Sequence, residues 1–357
     1  MSKNKIRSIS AAGLLAVPII LSGCGGFTKQ SMDIDPPPAQ VEAEMLQAVN
    51  GVVTPSPQGT APAMAPTSTV YLTDQYGLLA PVSLGLPPQE NKDNMLLRQS
   101  LEAMVQDGPY AAYLPKGFSA VLPKGTEVKT VTIEKEKKLA VVEFNKSFTQ
   151  YDAQNERKML EAVTWTLTGD ANINQVQFWV DGEKITEMPL NHTPLVQSLG
   201  RSMGINLEKG DGATYTNSSS VTVYFSSESP DGIQYYVPVT RLVAPGQNTL
   251  QAALDELIQG PQLRGGLEQV MTSDTSLESV KTAEDGTVTV SLKEDMFLKG
   301  EKVPSQFLQS VVLTVTENTV NNKVKIQLNG ESKVVGEDNQ VYSEPVSRPK
   351  YINQIPI

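Results

Sequence analysis

The sequence has few of the side chains that perform most protein chemistry. Its 357 residues include one cysteine, Cys24, and one histidine, His192. A single cysteine excludes an intrachain disulfide, and one histidine does not provide the usual zinc-ligand spacings. No G-x-S-x-G motif accompanies His192, so a Ser-His-Asp triad has little support. We interpret His192 as a surface residue in a connecting segment, and we expect neither a catalytic residue, a metal nor a cofactor.

Patterns for phosphate, calcium and nucleic acid are also missing. The glycine pairs at 210–212 and 265–266 lack the Lys and Ser/Thr of a P-loop, and neither matches G-x-G-x-x-G. Asp-rich calcium loops are absent from the sequence. The chain has 29 Lys and Arg against 39 Asp and Glu, a net charge of −10. Because phosphate binding relies on clustered cations, this balance argues against nucleic acid as a partner.

After Cys24 the sequence has no apolar run near the 18 residues that a membrane-spanning helix needs, and the N-terminus has a short one. Lys3, Lys5 and Arg7 precede a short apolar segment over 11–21, which ends in Leu21-Ser22-Gly23-Cys24. This order is typical of a lipoprotein signal peptide over residues 1–23, with diacylglycerol added to the thiol of Cys24. Two acyl chains anchor a protein stably, so we predict membrane attachment through Cys24. An ordinary secretion signal or an N-terminal anchor helix is the alternative.

Residues 24–68 are rich in proline, alanine, threonine and glutamine and have little to bury. This composition predicts a disordered tether. A coil of this length has a dimension of roughly 35–40 Å and a full extension of about 150 Å. The folded part is therefore expected to reach well away from the membrane that holds the lipid.

The rest of the chain contains one pattern twice. The segment 100–109 recurs at 253–261, each with an apolar stripe at helical spacing followed by Gly-Pro, which predicts helices that end at Gly108 and Gly260. Strand-like runs open the two copies at 69–72 and 222–225. We therefore predict two copies of one domain, residues 69–205 and 221–357, joined by a Gly/Ser-rich linker over 206–220.

Each copy is expected to follow the order ββαββαβ. The further elements predicted from the pattern are second strands at 79–84 and 235–243, hairpins at 128–144 and 277–292, second helices around 159–165 and 307–315, and last strands at 174–183 and 322–331. Ser305 is the expected cap of its helix. Near the ends of the copies, Val196-Gln197 in the first copy is predicted to correspond to Ile352-Asn353 in the second. The fold class is an α/β (α+β) sandwich, each copy having a small, mostly antiparallel sheet with two helices on one face.

Two sets of residues represent the remaining routes to a binding or catalytic site. Glycoside hydrolysis needs two carboxyl groups roughly 5–10 Å apart in a cleft, and the acids considered are Glu134, Glu136 and Glu143. Because two of them alternate with lysine at a hairpin tip, a solvated turn is favoured. The aromatic residues considered as a ligand platform are Tyr71, Trp165, Phe178 and Trp179. Aromatic residues on strand and helix faces are more typical of a core.

The lipid-attachment motif, the Pro-rich tether and the repeated pattern [VT]-Y-[LF] … G-P … [DN]-G-E … P-[LV] together resemble the GerMN-domain family of sporulation and germination lipoproteins. The resemblance extends over the whole chain, with Asp107 as one extra residue in the first copy. It implies tandem domains similar in plan to the ring-building motifs of secretion systems, and no catalytic residues.

The resemblance also implies where the protein acts and with what. The expected location is the mother-cell membrane, lipid-anchored, facing the space between the two membranes of the developing spore. The expected partners are the envelope proteins of the channel joining mother cell and forespore, and a ring or homo-oligomer is possible because sheet edges can accept strands. A peptidoglycan-remodelling enzyme and a solute-binding lipoprotein are the alternatives from other functional classes.

Overall fold

The structure is a computed structural model that describes residues 67–87, 94–210, 213–214, 216–262, 265–298, 300–331 and 333–356. The predicted signal peptide, Cys24 and all of the predicted tether except residues 67–68 lie outside these residues. Within the described ranges, every helix is too short or too polar to cross a membrane.

The first copy begins with a strand hairpin and alternates strands and helices from there. Its elements are β1 (Thr67–Asp74), β2 (Leu79–Gly85), α1 (Met95–Glu102), β3 (Phe118–Ser119), β4 (Val128–Glu134), β5 (Leu139–Phe144), α2 (Glu156–Leu167), β6 (Gln175–Val180) and β7 (Glu183–Lys184). The predicted order ββαββαβ is confirmed, with the short strands β3 and β7 added.

The second copy repeats this plan after a short strand that lies within the predicted linker. Its elements are β8 (Glu208–Lys209), β9 (Ser219–Glu228), β10 (Gln234–Val243), α3 (Thr249–Gln259), β11 (Ser276–Thr282), β12 (Val288–Lys293), α4 (Ser305–Glu317), β13 (Lys323–Leu328) and β14 (Val346–Ser347). The segment 307–315 is helical, as predicted, although its β-branched residues also suit a strand.

The strands of each copy divide between two sheets. The hairpin sheets have the orders β2-β1-β3 and β8-β10-β9, and the larger sheets have the orders β4-β5-β6-β7 and β11-β12-β13-β14. β5 pairs with β6 in parallel, as β12 does with β13, because a helix connects the two strands of each pair. The mixed α/β sandwich is thus confirmed, with two small sheets per copy where one was expected.

The core of each copy lies between the larger sheet and the second helix. Alternate residues of the central strands, such as Val142 and Phe178, point inward and pack with α2 residues such as Val163. In the second copy, Val290 and Ile326 belong to a cluster with residues of α4. These side chains are at most 2% exposed. Every second strand residue is buried against one face of the helix. This is the pattern expected for a sheet whose other face is exposed.

The first helix of copy one ends earlier than its sequence predicts. α1 stops at Glu102, and the N–H groups of Met104 and Val105 then bond three residues back to the carbonyls of Leu101 and Glu102. Asp107, the extra residue, adopts a positive φ of 52° in place of Gly108. In copy two the helix ends at Gln259, and Gly260 has φ 86°, as predicted.

The predicted cap at Ser305 is wrong. Pro304 occupies the N-cap position of α4, and no side chain caps it. Ser305 is instead the first helical residue, and its Oγ accepts a hydrogen bond of 3.2 Å from the backbone N–H of Asp338. The hydroxyl therefore holds a neighbouring loop rather than the helix end.

Candidate functional site

The hairpins of the two copies meet along strands β2 and β10. Asn353 lies between them: its Nδ2 donates to the carbonyls of Pro81 (2.7 Å) and Tyr236 (2.8 Å), and its Oδ1 accepts from the N–H of Tyr236 (2.8 Å). Pro81 and Pro238 have no N–H, so the two strands cannot form a continuous ladder at these positions. A side-chain amide takes the place of the missing ladder bonds.

Asn206 makes the equivalent bridge at the other end of this contact. Its Nδ2 donates to the carbonyls of Leu79 and Pro238, both at 2.8 Å, and its Oδ1 accepts from the N–H of Leu79 at 2.9 Å. Leu79 therefore has the same place relative to Asn206 as Tyr236 has relative to Asn353. Pro238 and Pro81 correspond in the same way. The contact between the copies, which we call the seam, has approximate twofold symmetry.

Backbone bonds show that the copies exchange their final segments. Asn353, at the end of copy two, lies on copy one, where the N–H of Ser83 donates to its carbonyl at 3.2 Å. Ile205, at the end of copy one, lies on copy two, where its carbonyl accepts from the N–H of Thr240 at 2.8 Å. Each copy therefore completes the hairpin surface of the other.

The segment after Asn206 is packed rather than free. Strand β8 pairs in parallel with β10, and the N–H of Gly210 donates to the carbonyl of Leu242. Glu208 is 5% exposed and forms an ion pair with the fully buried Arg241, which also binds Glu256 at 2.8 Å. The first residues of the predicted linker thus belong to the folded body, and the copies are in direct contact.

A shared ion cluster lies at the seam. Glu317, at the end of α4, is bound by Arg201 of copy one (2.6 Å) and by Arg348 of copy two (2.8 Å). The hydroxyl of Tyr224 also donates to Glu317 at 2.9 Å. Burial would raise the pKa of Glu317, but the two guanidinium groups outweigh it and lower that pKa below its usual value. The cluster therefore holds a carboxylate between two cations from different copies.

The arginines of this cluster also cover two aromatic rings, of which Trp165 was considered in the sequence as part of a ligand platform. Arg201 lies 4.4 Å from the ring centroid of Trp165, and Arg348 lies 5.2 Å from that of Tyr224. Trp165 in turn contacts Tyr71 edge-to-face at 5.6 Å. These contacts make Tyr71, Tyr224 and Trp165 packing residues of the seam, and all three are at most 2% exposed.

The duplication and the seam can be compared with known proteins. A model of the Germane family, described as "Sporulation and spore germination", matches residues 69–186 and 222–334. The chain belongs to the Germane family. Spore germination protein GerM of Bacillus subtilis (strain 168) is 35% identical to it over 367 residues, covering 98% of each chain. The solved structure of the tandem GerMN domains of sporulation protein GerM from Bacillus subtilis has a TM-score of 0.74 at 36% identity, covering 82% of this chain and 99% of that chain.

Membership of the Germane family confirms the resemblance seen in the sequence. It gives this chain a role in sporulation and germination, and the tandem GerMN structure agrees with the α/β architecture described above. Within the described part of the chain, no group of three or more His, Cys, Asp or Glu is placed to hold a metal ion.

The acids considered for catalysis in this Germane chain are not brought together. Glu134 is ion-paired with Lys137 at 2.7 Å at the hairpin tip, and Glu136 is exposed. Glu143 lies opposite Thr130, four positions along the hairpin from Glu134. Among the described residues, burial raises the pKa of three carboxylates, Asp74, Glu161 and Asp255. Asp74 is bonded to Tyr235 at 3.0 Å and Glu161 to Arg157 at 2.6 Å, and Glu256 beside Asp255 is paired with Arg241.

His192 lies on the surface, as predicted, with 70% of its side chain exposed. The loop around it is held from inside by Glu156, which is fully buried. Glu156 accepts from the hydroxyl of Thr193 (2.5 Å), from the N–H groups of Asn191 (2.8 Å) and Thr193 (3.2 Å), and from the hydroxyl of Tyr151 (2.7 Å). Burial would raise the pKa of Glu156, but these donors outweigh it and the pKa is lowered.

Trp179 differs from the other aromatic residues because it lies on the outer face of the larger sheet. It is half-buried, and its indole N–H donates to Gln177 at 2.9 Å. Its cross-strand neighbours are Glu143 on β5 and Lys184 on β7. The equivalent residue in copy two is Gln327, which accepts from Ser291 at 2.9 Å. The outer face is therefore aromatic in copy one and polar in copy two.

Residue type and local periodicity do not mark the residues of the seam, although a signal for them exists in the sequence. Arg201 and Asn206 are five residues apart, as are Arg348 and Asn353, and both pairs enclose an isoleucine in the pattern R-x-x-x-I-N. The match of Val196-Gln197 with Ile352-Asn353 is wrong. Ile205-Asn206 is the structural equivalent of Ile352-Asn353.

Proposed function

We propose that this chain is a membrane-anchored, non-enzymatic assembly protein of sporulation and germination, which docks with the channel joining mother cell and forespore. The single observation that carries this proposal is the seam. Asn206, Asn353 and the Glu317 cluster hold the copies in one body, and their polar groups are bonded within the protein. A rigid body with two related faces is suited to docking.

The lipoprotein signal pattern that ends at Cys24 supports attachment to the membrane. Diacylglycerol on Cys24 would hold the chain to the mother-cell membrane, facing the space between the two membranes of the developing spore. The tether over 24–68 would then let the folded body reach up to about 150 Å from that surface. This reach allows contact with proteins that project from the opposite membrane.

The docking surface that we propose is the outer sheet face around Trp179. A half-buried tryptophan within a charged rim is typical of interface hot spots. The rim here consists of Glu143 and Lys184, and Lys184 donates to the carbonyl of Val196, whose side chain is 66% exposed. A partner with an apolar surface and charges of both signs would fit this face.

Strand addition is a less suitable mode of docking. The edge strands β4 and β11 both have register shifts against their neighbours, at 128–130 and 277–279. The carbonyl of Val131 on β4 is also occupied, because it accepts from the side chain of Asn94 at 3.0 Å. Bulges and occupied backbone groups reduce pairing with another strand, so we favour docking through the sheet face.

Site-specific photo-crosslinking in sporulating cells tests this proposal. A photoreactive residue at Gln177, beside Trp179, is expected to capture channel proteins, and the matched position Lys325 in copy two is not. Trp179→Gln, which copies the residue of the second copy, should abolish the capture. Equal capture from both positions, or capture that survives Trp179→Gln, would contradict the proposed surface. Release of muropeptides from peptidoglycan by the purified chain would contradict the non-enzymatic role.

A further inference from the structure

Copy one contains a groove that the seam and the sheet face do not use. Two adjoining clefts of about 320 and 210 Å³ share Gln106, Val121 and Asn155 in their walls. We call this groove, with the lining residues Thr73, Gln106, Gln150, Tyr151, Asn155 and Lys158, the amide groove. Its size is in the range of about 300–1,000 Å³ that is usual for small-molecule sites.

The amide side chains of this groove are free to bond a ligand. Among the described residues, the side chains of Gln106 and Gln150 are exposed and that of Asn155 is half-buried, and none of the three amides is hydrogen-bonded within the protein. The amides of the seam, by contrast, use both their donor and their acceptor atoms. Each free amide offers two N–H donors and one carbonyl acceptor. The groove therefore offers paired donors and acceptors, which match hydroxyl and acetamido groups.

The walls of the amide groove also provide an apolar surface. The ring of Tyr151 is fixed because its hydroxyl donates to Glu156 at 2.7 Å, and Leu190 beside it is 47% exposed. A fixed aromatic ring with free amides around it is suited to the C–H face of a sugar ring. Asp152 and Lys158 provide one charge of each sign, which favours a ligand without net charge.

We propose that the amide groove binds a neutral oligosaccharide that carries N-acetyl groups. Strand β3 at its margin has only two residues, which is too short for an extended peptide to add along it. Copy two has no amide at the position of Asn155, which is occupied by Val303 with 2% exposure. Binding of a glycan is independent of docking with the channel, so the two proposals can fail separately.

Titration of the full chain in detergent with the tetramer of N-acetylglucosamine tests the proposal. We expect saturable binding with a Kd below about 1 mM. Asn155→Val, the residue of copy two, and Gln106→Ala should each weaken binding about tenfold. Because these amides have no internal partner, neither variant should lower the melting temperature. Gln251→Ala, at an exposed amide in a cleft of copy two, should bind as the unaltered chain does.

Several outcomes would overturn this proposal. One is an affinity that Asn155→Val and Gln106→Ala leave unchanged. Others are equal binding of the de-N-acetylated tetramer, preferential binding of a short peptide in the groove, and no binding of the tetramer at about 10 mM. In Asn155→Val, a photoreactive residue at position 177 should still capture channel proteins. A failure of the glycan proposal can therefore be told apart from a failure of the docking proposal.

Discussion

Asn206 and Asn353 occupy equivalent positions on the two sides of the seam. Both adopt the left-handed backbone conformation, with φ 47° and 56°, which asparagine tolerates better than most residues. Each comes from the end of one copy and bridges strands of both. We therefore expect the two copies to unfold as one cooperative body.

Replacing Asn353 by alanine should destabilise this body by about 3 kcal/mol. The change removes three hydrogen bonds and leaves the partly buried backbone groups of Pro81 and Tyr236 without that partner. Denaturant unfolding of the full chain measures the loss. Asn172→Ala, in an exposed turn, is the control and should change stability little. A loss below about 0.5 kcal/mol for Asn353→Ala would show that the bridge contributes nothing.

Glu317→Gln should destabilise the protein at pH 7 by about 3 kcal/mol, because Arg201 and Arg348 lose the carboxylate between them. The measurement is denaturant unfolding of the variant and the unaltered chain at the same pH. Glu301→Gln, at an exposed acid of the same copy, is the control. Equal stability of Glu317→Gln and the unaltered chain would mean that the ion cluster does not hold the seam.

The effect of Glu317→Gln should also depend on pH. The pKa of Glu317 is lower in the folded protein than its ordinary value of 4.5, so its carboxylate stabilises the fold above about pH 4.5. This contribution is lost as the pH falls through the lowered pKa. The difference in unfolding free energy between the two proteins should therefore shrink from pH 7 to pH 3. A difference that grows toward acid pH would contradict the assigned direction.

Trp179→Gln should impair sporulation while the fold stays intact. The residue is half-buried on the outer sheet face, so its loss should cost no more than about 1 kcal/mol. Thermal unfolding checks the fold, and the yield of heat-resistant spores checks the function. Gln327→Ala, at the equivalent position of copy two, should leave both unchanged. Full sporulation by Trp179→Gln would remove the proposed docking face.

Cys24→Ala should release the protein from membranes, because Cys24 is the predicted site of the lipid. Fractionation of cells into membrane and soluble parts measures this change. Gly23→Ala keeps a small residue before the predicted cleavage point and should remain in the membrane fraction. A Cys24→Ala protein that still sediments with membranes, or that supports full sporulation, would contradict the anchoring prediction.

Local patterns predicted most of the elements. The apolar stripe and Gly260 placed the end of α3 correctly, and alternating apolar residues placed β5 and β12. The end of α1 was not predicted, because Asp107 rather than Gly108 takes the positive φ and a tight turn replaces the last helical turn. Helix ends depend on contacts from outside the helix, here the bonds from Val121 and Leu122 to Met104.

The candidate site was predicted only in part. Burial of Tyr71 and Trp165 and the surface position of His192 were expected from residue type and neighbours. The roles of Arg201, Glu317 and Arg348 were not, because these residues come from separate parts of the chain and their charges alone resemble those of solvated surface residues. The repeated pattern R-x-x-x-I-N is present in the sequence. It matches neither helix nor strand periodicity, so it does not by itself indicate a structural role.

The sequence by itself determined the duplication, the order of strands and helices, and the family, because these depend on residue type, spacing and repetition along the chain. Tertiary structure alone decided that the copies exchange their ends and share one ion cluster. Both features join residues more than a hundred positions apart, such as Asn353 with Tyr236 and Arg201 with Glu317. Hydrogen bonds and charges act across space, and their partners exist only once the two hairpins have packed together.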